Sequence, residues 1–93
     1  MNVTIRKRSE IFFEAATMET VIAVKKFPQP NQNLAALMEQ VGELAQAFLQ
    51  GEEPYRIYAE AKQVAAMACR IALEGDPQFP QKMNRAGRSG RVK

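Results

Sequence analysis

The sequence predicts an all-α fold. Three segments place apolar residues at spacings of three and four, which is the period of an α-helix, and prolines or glycines separate the segments. No strand-like alternation of apolar and polar residues competes with this pattern. The chain has 93 residues, of which 46% are hydrophobic and 25% charged. This composition is typical of a globular domain and excludes a collagen-like or disordered chain.

The first predicted helix runs from about Ser9 to Val24. Ser9 is a suitable N-cap residue, and Glu10 follows it in the first turn, where the helix dipole favours an acidic side chain. Lys25 and Lys26 stand at the C-terminal end, where cations are favoured. Two prolines within the next four residues prevent the helix from continuing.

The second and third predicted helices have clear boundary signals. Asn31 or Asn33 can cap the second helix, and Gly51 ends it. Pro54 is a good first residue for the third helix, which ends before Gly75 and is rich in small alanines. The apolar stripe of the second helix consists of Leu34, Leu37, Met38, Val41, Leu44, Ala45, Phe48 and Leu49.

The chain divides into a helical domain, residues 1–75, and a basic C-terminal tail, residues 76–93, which has room for a short helix near residues 81–86. The tail carries five basic side chains and one acidic side chain, a net charge of +4, so residues 1–75 sum to −1. Basic residues can contact nucleic-acid phosphates. However, residues 82–93 contain no aromatic side chain for base stacking. We therefore favour a solubilising or weakly anion-binding tail and do not expect nucleic acid as a partner.

Several kinds of chemistry are excluded by what the sequence lacks. With no histidine, a Ser-His-Asp triad and a histidine metal ligand are impossible. The single cysteine, Cys69, allows no internal disulfide and no cysteine-rich zinc site. No run of eighteen apolar residues exists, so we expect a cytoplasmic protein with no membrane partner. Carboxylates, amides, hydroxyls and basic side chains remain for the chemistry.

Polar pairs flank the apolar stripes of the second and third helices at matching positions. Gln40 and Glu43 lie beside the stripe of the second helix, and Glu60 and Gln63 take the same two angular places on the third. Antiparallel packing would bring both pairs to one groove. Oxygen ligands from facing helices build cation sites in helical bundles, although the same residues also suit solvated helix faces. Glu39, one turn before Glu43, is a further candidate.

Residues 33–51, NLAALMEQVGELAQAFLQG, and residues 60–71, EAKQVAAMACRI, resemble the MazG-like all-α NTP pyrophosphatases. The resemblance covers about residues 25–75, and the stretch VGELAQA carries most of it. It implies Mg²⁺-dependent hydrolysis of (d)NTP to (d)NMP and pyrophosphate, with Mn²⁺ as a possible substitute. It also implies a homodimer or homotetramer. Long helices that pair between subunits in a four-helix-bundle core would bury the stripes of so short a chain.

The family carries Glu-x-x-Glu on one helix and Glu-x-x-Asp on the next. Glu43 and Glu60 match acids of this pattern and are the expected catalytic residues, holding metal while one carboxylate orients the attacking water. Gln40 stands where the first glutamate belongs and Gln63 where the aspartate belongs, so the metal set is Glu39, Gln40, Glu43, Glu60 and Gln63. Each amide lacks the negative charge of the acid that it replaces, so the site has two negative charges fewer than the family pattern. The alternative is a non-catalytic helical nucleotide-binding or protein-interaction module that kept the fold and lost the metal site.

Three basic residues are candidates for binding the phosphates of a nucleoside triphosphate. Arg56 and Arg70 flank Gln63 at seven-residue spacing on one face of the third helix, and Lys26 precedes the proline-rich segment. Two of them have a simpler alternative role. Arg56 lies four residues before Glu60, the spacing of an ion pair on a helix surface, and Lys26 would suit a solvated helix end.

Overall fold

The structure, a computed structural model, describes residues 2–80 and the side chains of residues 4–80. Over this range it contains three α-helices: α1 (Asn2–Lys26), α2 (Asn33–Leu49) and α3 (Pro54–Glu74). There is no strand in the described range, which confirms the all-α prediction. None of these helices combines the length and the apolar composition needed to cross a bilayer. The predicted helix near residues 81–86 and most of the basic tail lie outside the described residues.

Helix α3 is the centre of the fold. It packs against both α1 and α2, whereas no Cα atom of α1 lies within 8 Å of a Cα atom of α2 in the described part of the chain. Phe12 of α1 meets the ring of Tyr58 edge to face, with 5.3 Å between ring centroids. An ion pair between Lys62 Nζ and Glu19 Oε1, at 3.8 Å, also joins α3 to α1. The short connection from α2 to α3 makes these two helices an antiparallel pair.

The interior is built from small side chains. Its buried apolar residues are Ala16, Ala47 and Ala66, one from each helix, and no large side chain in the described range is fully buried. These small side chains allow the helices to approach closely, but they bury little apolar area. Much of the apolar stripe of α2 is therefore exposed. We call this exposed set, which lies along one side of the helix, the outer stripe: Leu34, Met38, Val41, Phe48 and Leu49.

Helix α1 begins earlier than predicted, so the assignment of Ser9 as its N-cap is wrong. Ser9 lies inside the helix, and its hydroxyl donates to the carbonyl oxygen of Ile5 at 2.9 Å. A serine hydroxyl can bond back to the preceding turn in this way, which satisfies it without ending the helix. An ion pair between Arg6 and Glu10, at 3.5 Å, follows the same helical spacing.

The start of α2 is capped from a distant part of the chain. Gln32 occupies the cap position without a side-chain hydrogen bond, and Asn33, one of the two predicted caps, instead donates its Nδ2 to the carbonyl oxygen of Gly75 at 2.9 Å. Asp76 Oδ2 accepts from the backbone N–H of Leu34 at 2.7 Å. A carboxylate that follows α3 therefore takes the role of a local N-cap for α2.

The boundaries predicted at Gly51, Pro54 and Gly75 are confirmed, while α1 ends at Lys26, two residues after the predicted Val24. Gly51 follows α2 with a φ of +65°, and Gly75 follows α3 with a φ of +69°. Both angles lie in a region that glycine adopts without steric cost. Pro54 is the first residue of α3, where its missing N–H leaves no hydrogen bond unmade.

Arg70 ties α3 to the C-terminal end of α1. Its side chain is buried, and its Nε donates to Glu74 Oε1 at 2.7 Å. Nη1 donates to the carbonyl oxygen of Ala23 at 3.3 Å, and Nη2 donates to that of Phe27. Carbonyl groups at the end of a helix lack intrahelical partners. One guanidinium therefore donates to the Ala23 carbonyl of α1, which also accepts from the Phe27 N–H, and to the Phe27 carbonyl just after α1, and it pairs with a carboxylate on its own helix.

Candidate functional site

Two pockets lie along the groove between α2 and α3. The first has a volume of about 350 Å³ and lies toward the α2–α3 connection. We call it the acidic pocket, because three of its lining residues are Glu43, Glu52 and Glu60. The second has a volume of about 820 Å³ and lies toward the end of α1. We call it the amide pocket, because its lining includes Gln40, Gln63 and four further asparagine or glutamine residues.

The acidic pocket brings together one carboxylate from each facing helix. Glu43 comes from α2 and Glu60 from α3, as the matching positions in the sequence predict. Arg56 Nη2 lies 3.4 Å from Glu60 Oε2, so the alternative role of Arg56, an ion pair with Glu60, is confirmed. Glu43 is exposed, and its carboxylate makes no hydrogen bond or ion pair with another described residue. The pocket therefore holds one paired carboxylate, Glu60, two carboxylates that are unpaired within residues 2–80, Glu43 and Glu52, and a guanidinium.

The five residues predicted to hold metal line two different pockets. Glu43 and Glu60 share the acidic pocket, whereas Glu39, Gln40 and Gln63 line the amide pocket. Residues three apart on a helix differ by about 4.5 Å along its axis and by about 60° around it, which is enough to separate them. Within residues 2–80, no three carboxylate, thiol or imidazole side chains come together as a metal-binding group.

The amide pocket is bounded by the C-terminal end of α1, residues 27–32, the first half of α2 and the second half of α3. Gln40 and Gln63 are half-buried. The Oε1 atom of Gln40 is buried and has no hydrogen-bond partner among residues 2–80. A buried acceptor without a donor is costly, so this atom marks a place where a donor is missing.

The three basic residues predicted to bind phosphate also divide between the pockets. Arg56 lines the acidic pocket, while Lys26 and Arg70 line the amide pocket. Lys26 is exposed and forms no ion pair within the described residues. The guanidinium of Arg70 is already bonded to two carbonyl groups and to Glu74. Its contacts hold the wall of the pocket in place.

Three polar residues of the acidic pocket were not predicted from the sequence. Gln46 and Gln50 follow Glu43 by three and seven residues, so helical spacing alone could have placed them on the same face of α2. Glu52 lies in the connection to α3 and carries no periodic signal. These side chains surround the two carboxylates with further oxygen atoms that can accept hydrogen bonds.

Fold and groove together define a small all-α protein with an acidic pocket and an amide pocket between two antiparallel helices. No protein-family model matches the sequence. Neither a curated protein nor a solved structure matches it significantly.

Proposed function

We propose that this protein is a nucleoside triphosphate pyrophosphohydrolase of the MazG-like type, which cleaves (d)NTP to (d)NMP and pyrophosphate with Mg²⁺. The observation that carries the proposal is the pair of carboxylates, Glu43 from α2 and Glu60 from α3, that line one pocket beside Arg56. Carboxylates from facing helices hold divalent cations in helical bundles, and arginine suits phosphate. Such substrates place the reaction in the cytoplasm.

The side chains of the acidic pocket fit a Mg²⁺ ion that arrives with the triphosphate. Mg²⁺ is usually held by one or two carboxylates together with phosphate oxygens and water, rather than by a complete protein cage. Glu43 and Glu60 would supply the two carboxylates. The bound ion would neutralise charge on the phosphate oxygens, and Mn²⁺ accepts the same oxygen ligands.

The chain's own side chains would position the phosphates and the attacking water. Arg56 is half-exposed, so its guanidinium can turn from Glu60 toward phosphate oxygens. Glu43, which is unpaired within residues 2–80, would orient a water molecule and take its proton. The water oxygen bonds to the α-phosphorus, the bond from that phosphorus to the bridging oxygen breaks, and pyrophosphate leaves.

A second candidate is a non-catalytic module that binds nucleotides or proteins. The observation that favours it is that Gln40 and Gln63 are neutral amides, so that Glu43 and Glu60 lack the full set of acids that the MazG-like pattern requires and no three carboxylates come together as a metal-binding group within residues 2–80. Restoring the acids with Gln40→Glu and Gln63→Asp together would create metal binding that the parent lacks, if this candidate is correct. Isothermal titration with Mn²⁺ measures the difference.

The two candidates are separated by pyrophosphate release from a panel of ribo- and deoxyribonucleoside triphosphates with Mg²⁺ or Mn²⁺. We expect turnover, and a loss of about 100-fold or more in kcat for Glu43→Ala, because the variant lacks the group that orients the water. Glu14→Ala is the matched control. Glu14 is an exposed glutamate of α1 that lines neither pocket.

Either of two results would reject the enzyme. The first is no turnover of any nucleotide by folded protein. The second is equal turnover by the Glu43→Ala and Glu14→Ala variants, which would show that the activity arises elsewhere or from a contaminant.

We further propose that the protein works as a homodimer, or as a homotetramer built from such dimers. The outer stripe of α2 exposes large side chains, with Phe48 63% and Leu49 83% exposed, while the buried apolar residues of the described range are all alanine. A contiguous apolar surface of this kind marks an interface. A second copy that packs its own outer stripe there would complete a four-helix core.

The oligomeric state tests this proposal directly. We expect sedimentation equilibrium to give at least twice the monomer mass for the parent, and the monomer mass for Met38→Glu, because a buried carboxylate would oppose the interface. Gln78→Glu places the same charge at an exposed position outside the three helices and should leave the dimer intact. A monomeric parent would contradict the proposal.

A further inference from the structure

The amide pocket is the larger of the two and lies next to the acidic pocket in the same groove. Gln40 and Gln63 of the amide pocket stand one helical turn from Glu43 and Glu60 of the acidic pocket. The separation along each helix axis is about 4.5 Å. A molecule lying in the groove can therefore occupy both pockets at once.

The lining of the amide pocket combines apolar surfaces with primary amides. Ile22, Phe27 and Met67 provide apolar atoms at the walls. Six side chains bear a primary amide group: Gln29, Asn31, Gln32, Asn33, Gln40 and Gln63. A primary amide offers a donor and an acceptor side by side. Apolar walls with a few such groups are typical of a site for a flat, polar-edged organic molecule.

The charges around the amide pocket favour a neutral ligand over an anion. Arg70 is paired with Glu74, and Glu19 is paired with Lys62. Two charged lining residues, Lys26 and Glu39, have no ion pair within residues 2–80. Their charges are opposite in sign, so together they add no net charge to the pocket. Phosphate groups are therefore better placed beside Arg56 in the acidic pocket.

Two of the amides, Gln40 and Gln63, are half-buried and still have unused hydrogen-bonding capacity. The Oε1 atom of Gln40 is buried without a partner, and the side chain of Gln63 makes no hydrogen bond with another described residue. The terminal torsion of a glutamine side chain is broad, so the Gln40 amide can turn its oxygen toward the pocket. A ligand that brings an N–H group would satisfy this acceptor.

We propose that the amide pocket binds the heterocyclic base of a nucleotide, and that Gln40 and Gln63 contact its edge. The assignment rests on the proposed function, which places the phosphates in the acidic pocket. Glutamine pairs with adenine through one donor and one acceptor, and carboxylates accept from the amino group of cytosine. Because the unsatisfied Gln40 atom is an acceptor, the pocket prefers bases that carry an exocyclic amino group. In this proposal Gln40 and Gln63, which stand at metal-ligand positions of the MazG-like pattern, form hydrogen bonds to the base.

The test uses nucleosides, which lack phosphate, and omits metal. Adenosine, cytidine, uridine and purine riboside, the adenosine analogue without the amino group, are titrated into ¹⁵N-labelled full-length protein. We expect adenosine and cytidine to shift the side-chain amide resonances of Gln40 and Gln63. Purine riboside should bind about tenfold more weakly, as expected for loss of one hydrogen bond to the base edge.

Two variants locate the binding. Gln63→Met keeps the side-chain length without the amide and should weaken adenosine binding about tenfold or more. Gln78→Met removes an amide that lines neither pocket and should change nothing. If Gln63→Met does not fold, the shifts of the parent's own amide resonances still decide the question.

The outcomes separate this inference from the proposed function. Nucleotide hydrolysis without any nucleoside-induced shift of Gln40 and Gln63 would overturn the base pocket and leave the enzyme standing. Nucleoside binding that depends on Gln63, in a protein that releases no pyrophosphate, would support the pocket and reject the hydrolase. Equal affinity for adenosine and purine riboside would overturn the role of the amino group.

Discussion

Replacing Arg70 by alanine tests whether one buried guanidinium joins two helices. The variant loses the ion pair to Glu74 and leaves the carbonyl oxygens of Ala23 and Phe27 without their side-chain donor. Arg56 provides a matched control on the same helix, because it also pairs with a glutamate four residues later. The two pairs differ in exposure: the side chain of Arg70 is 6% exposed and that of Arg56 is 49% exposed.

The burial of each ion pair determines how much free energy of unfolding its variant should lose. Removing one partner of a fully buried ion pair costs about 3–5 kcal/mol. The side chain of Glu74 is 22% exposed and lies 3.5 Å from the Asn33 amide, so we take the lower end, about 3 kcal/mol, for Arg70→Ala. In the Arg56–Glu60 pair the arginine is half-exposed but Glu60 is only 14% exposed, so we expect a loss of about 1 kcal/mol for Arg56→Ala, the upper end for a surface pair. Arg70→Lys keeps the charge but not the planar donor set, so it should fall between the two.

Urea unfolding followed by circular dichroism at 222 nm measures these losses. All variants must be compared at one protein concentration, since a dimer's stability depends on concentration. For a domain of this size, the difference of about 2 kcal/mol corresponds to roughly 8–16 °C in Tm. Equal losses for Arg70→Ala and Arg56→Ala would refute the reasoning, because burial and the contacts to α1 would then contribute nothing.

Two further predictions concern the ends and the interior of α2. Asp76→Ala should lower the free energy of unfolding by about 1 kcal/mol, because the backbone N–H of Leu34 loses its cap; an unchanged urea midpoint would show that water replaces the carboxylate. Gly42→Ala should raise stability by about 0.5–1 kcal/mol, since it lies inside the helix with open space around the added methyl group. Gly51→Ala should lower stability by a similar amount, because its φ of +65° strains any other residue. A lower Tm for Gly42→Ala would mean that a second chain packs against this face.

The helix boundaries that were predicted correctly are those that local chemistry fixes. Pro54 cannot donate a backbone hydrogen bond, and Gly51 and Gly75 adopt angles that other residues avoid, so each signal is complete within its own segment. The start of α1 was missed because Ser9 can either cap a helix or bond to its preceding turn. The cap on α2 was missed because its acceptor, Asp76, lies 42 residues away in the sequence.

The two carboxylates of the acidic pocket could also be predicted, because local sequence spacing determines their positions. Glu43 and Glu60 line the same pocket because they occupy matching positions on two antiparallel helices. The helical spacing of each segment and the short connection between them predict this from the sequence. The separation of Gln40 and Gln63 into another pocket depends on where α1 ends and on residues 27–32. That arrangement is held by Arg70, whose bonds to the end of α1 join residues more than 40 positions apart. No local pattern contains this information.

Helix α2 links the pockets and the proposed dimer interface, because they occupy opposite sides of it. Val41 of the outer stripe and Glu43 of the acidic pocket are two residues apart, about 200° around the helix. A second copy seated on the outer stripe would therefore leave the groove between α2 and α3 open to substrate. In this arrangement the dimer supplies the apolar burial that an alanine interior lacks. Because the dimer supplies this burial, the face of α2 toward α3 can carry glutamate and glutamine side chains. A monomer of this size would need apolar side chains at those positions.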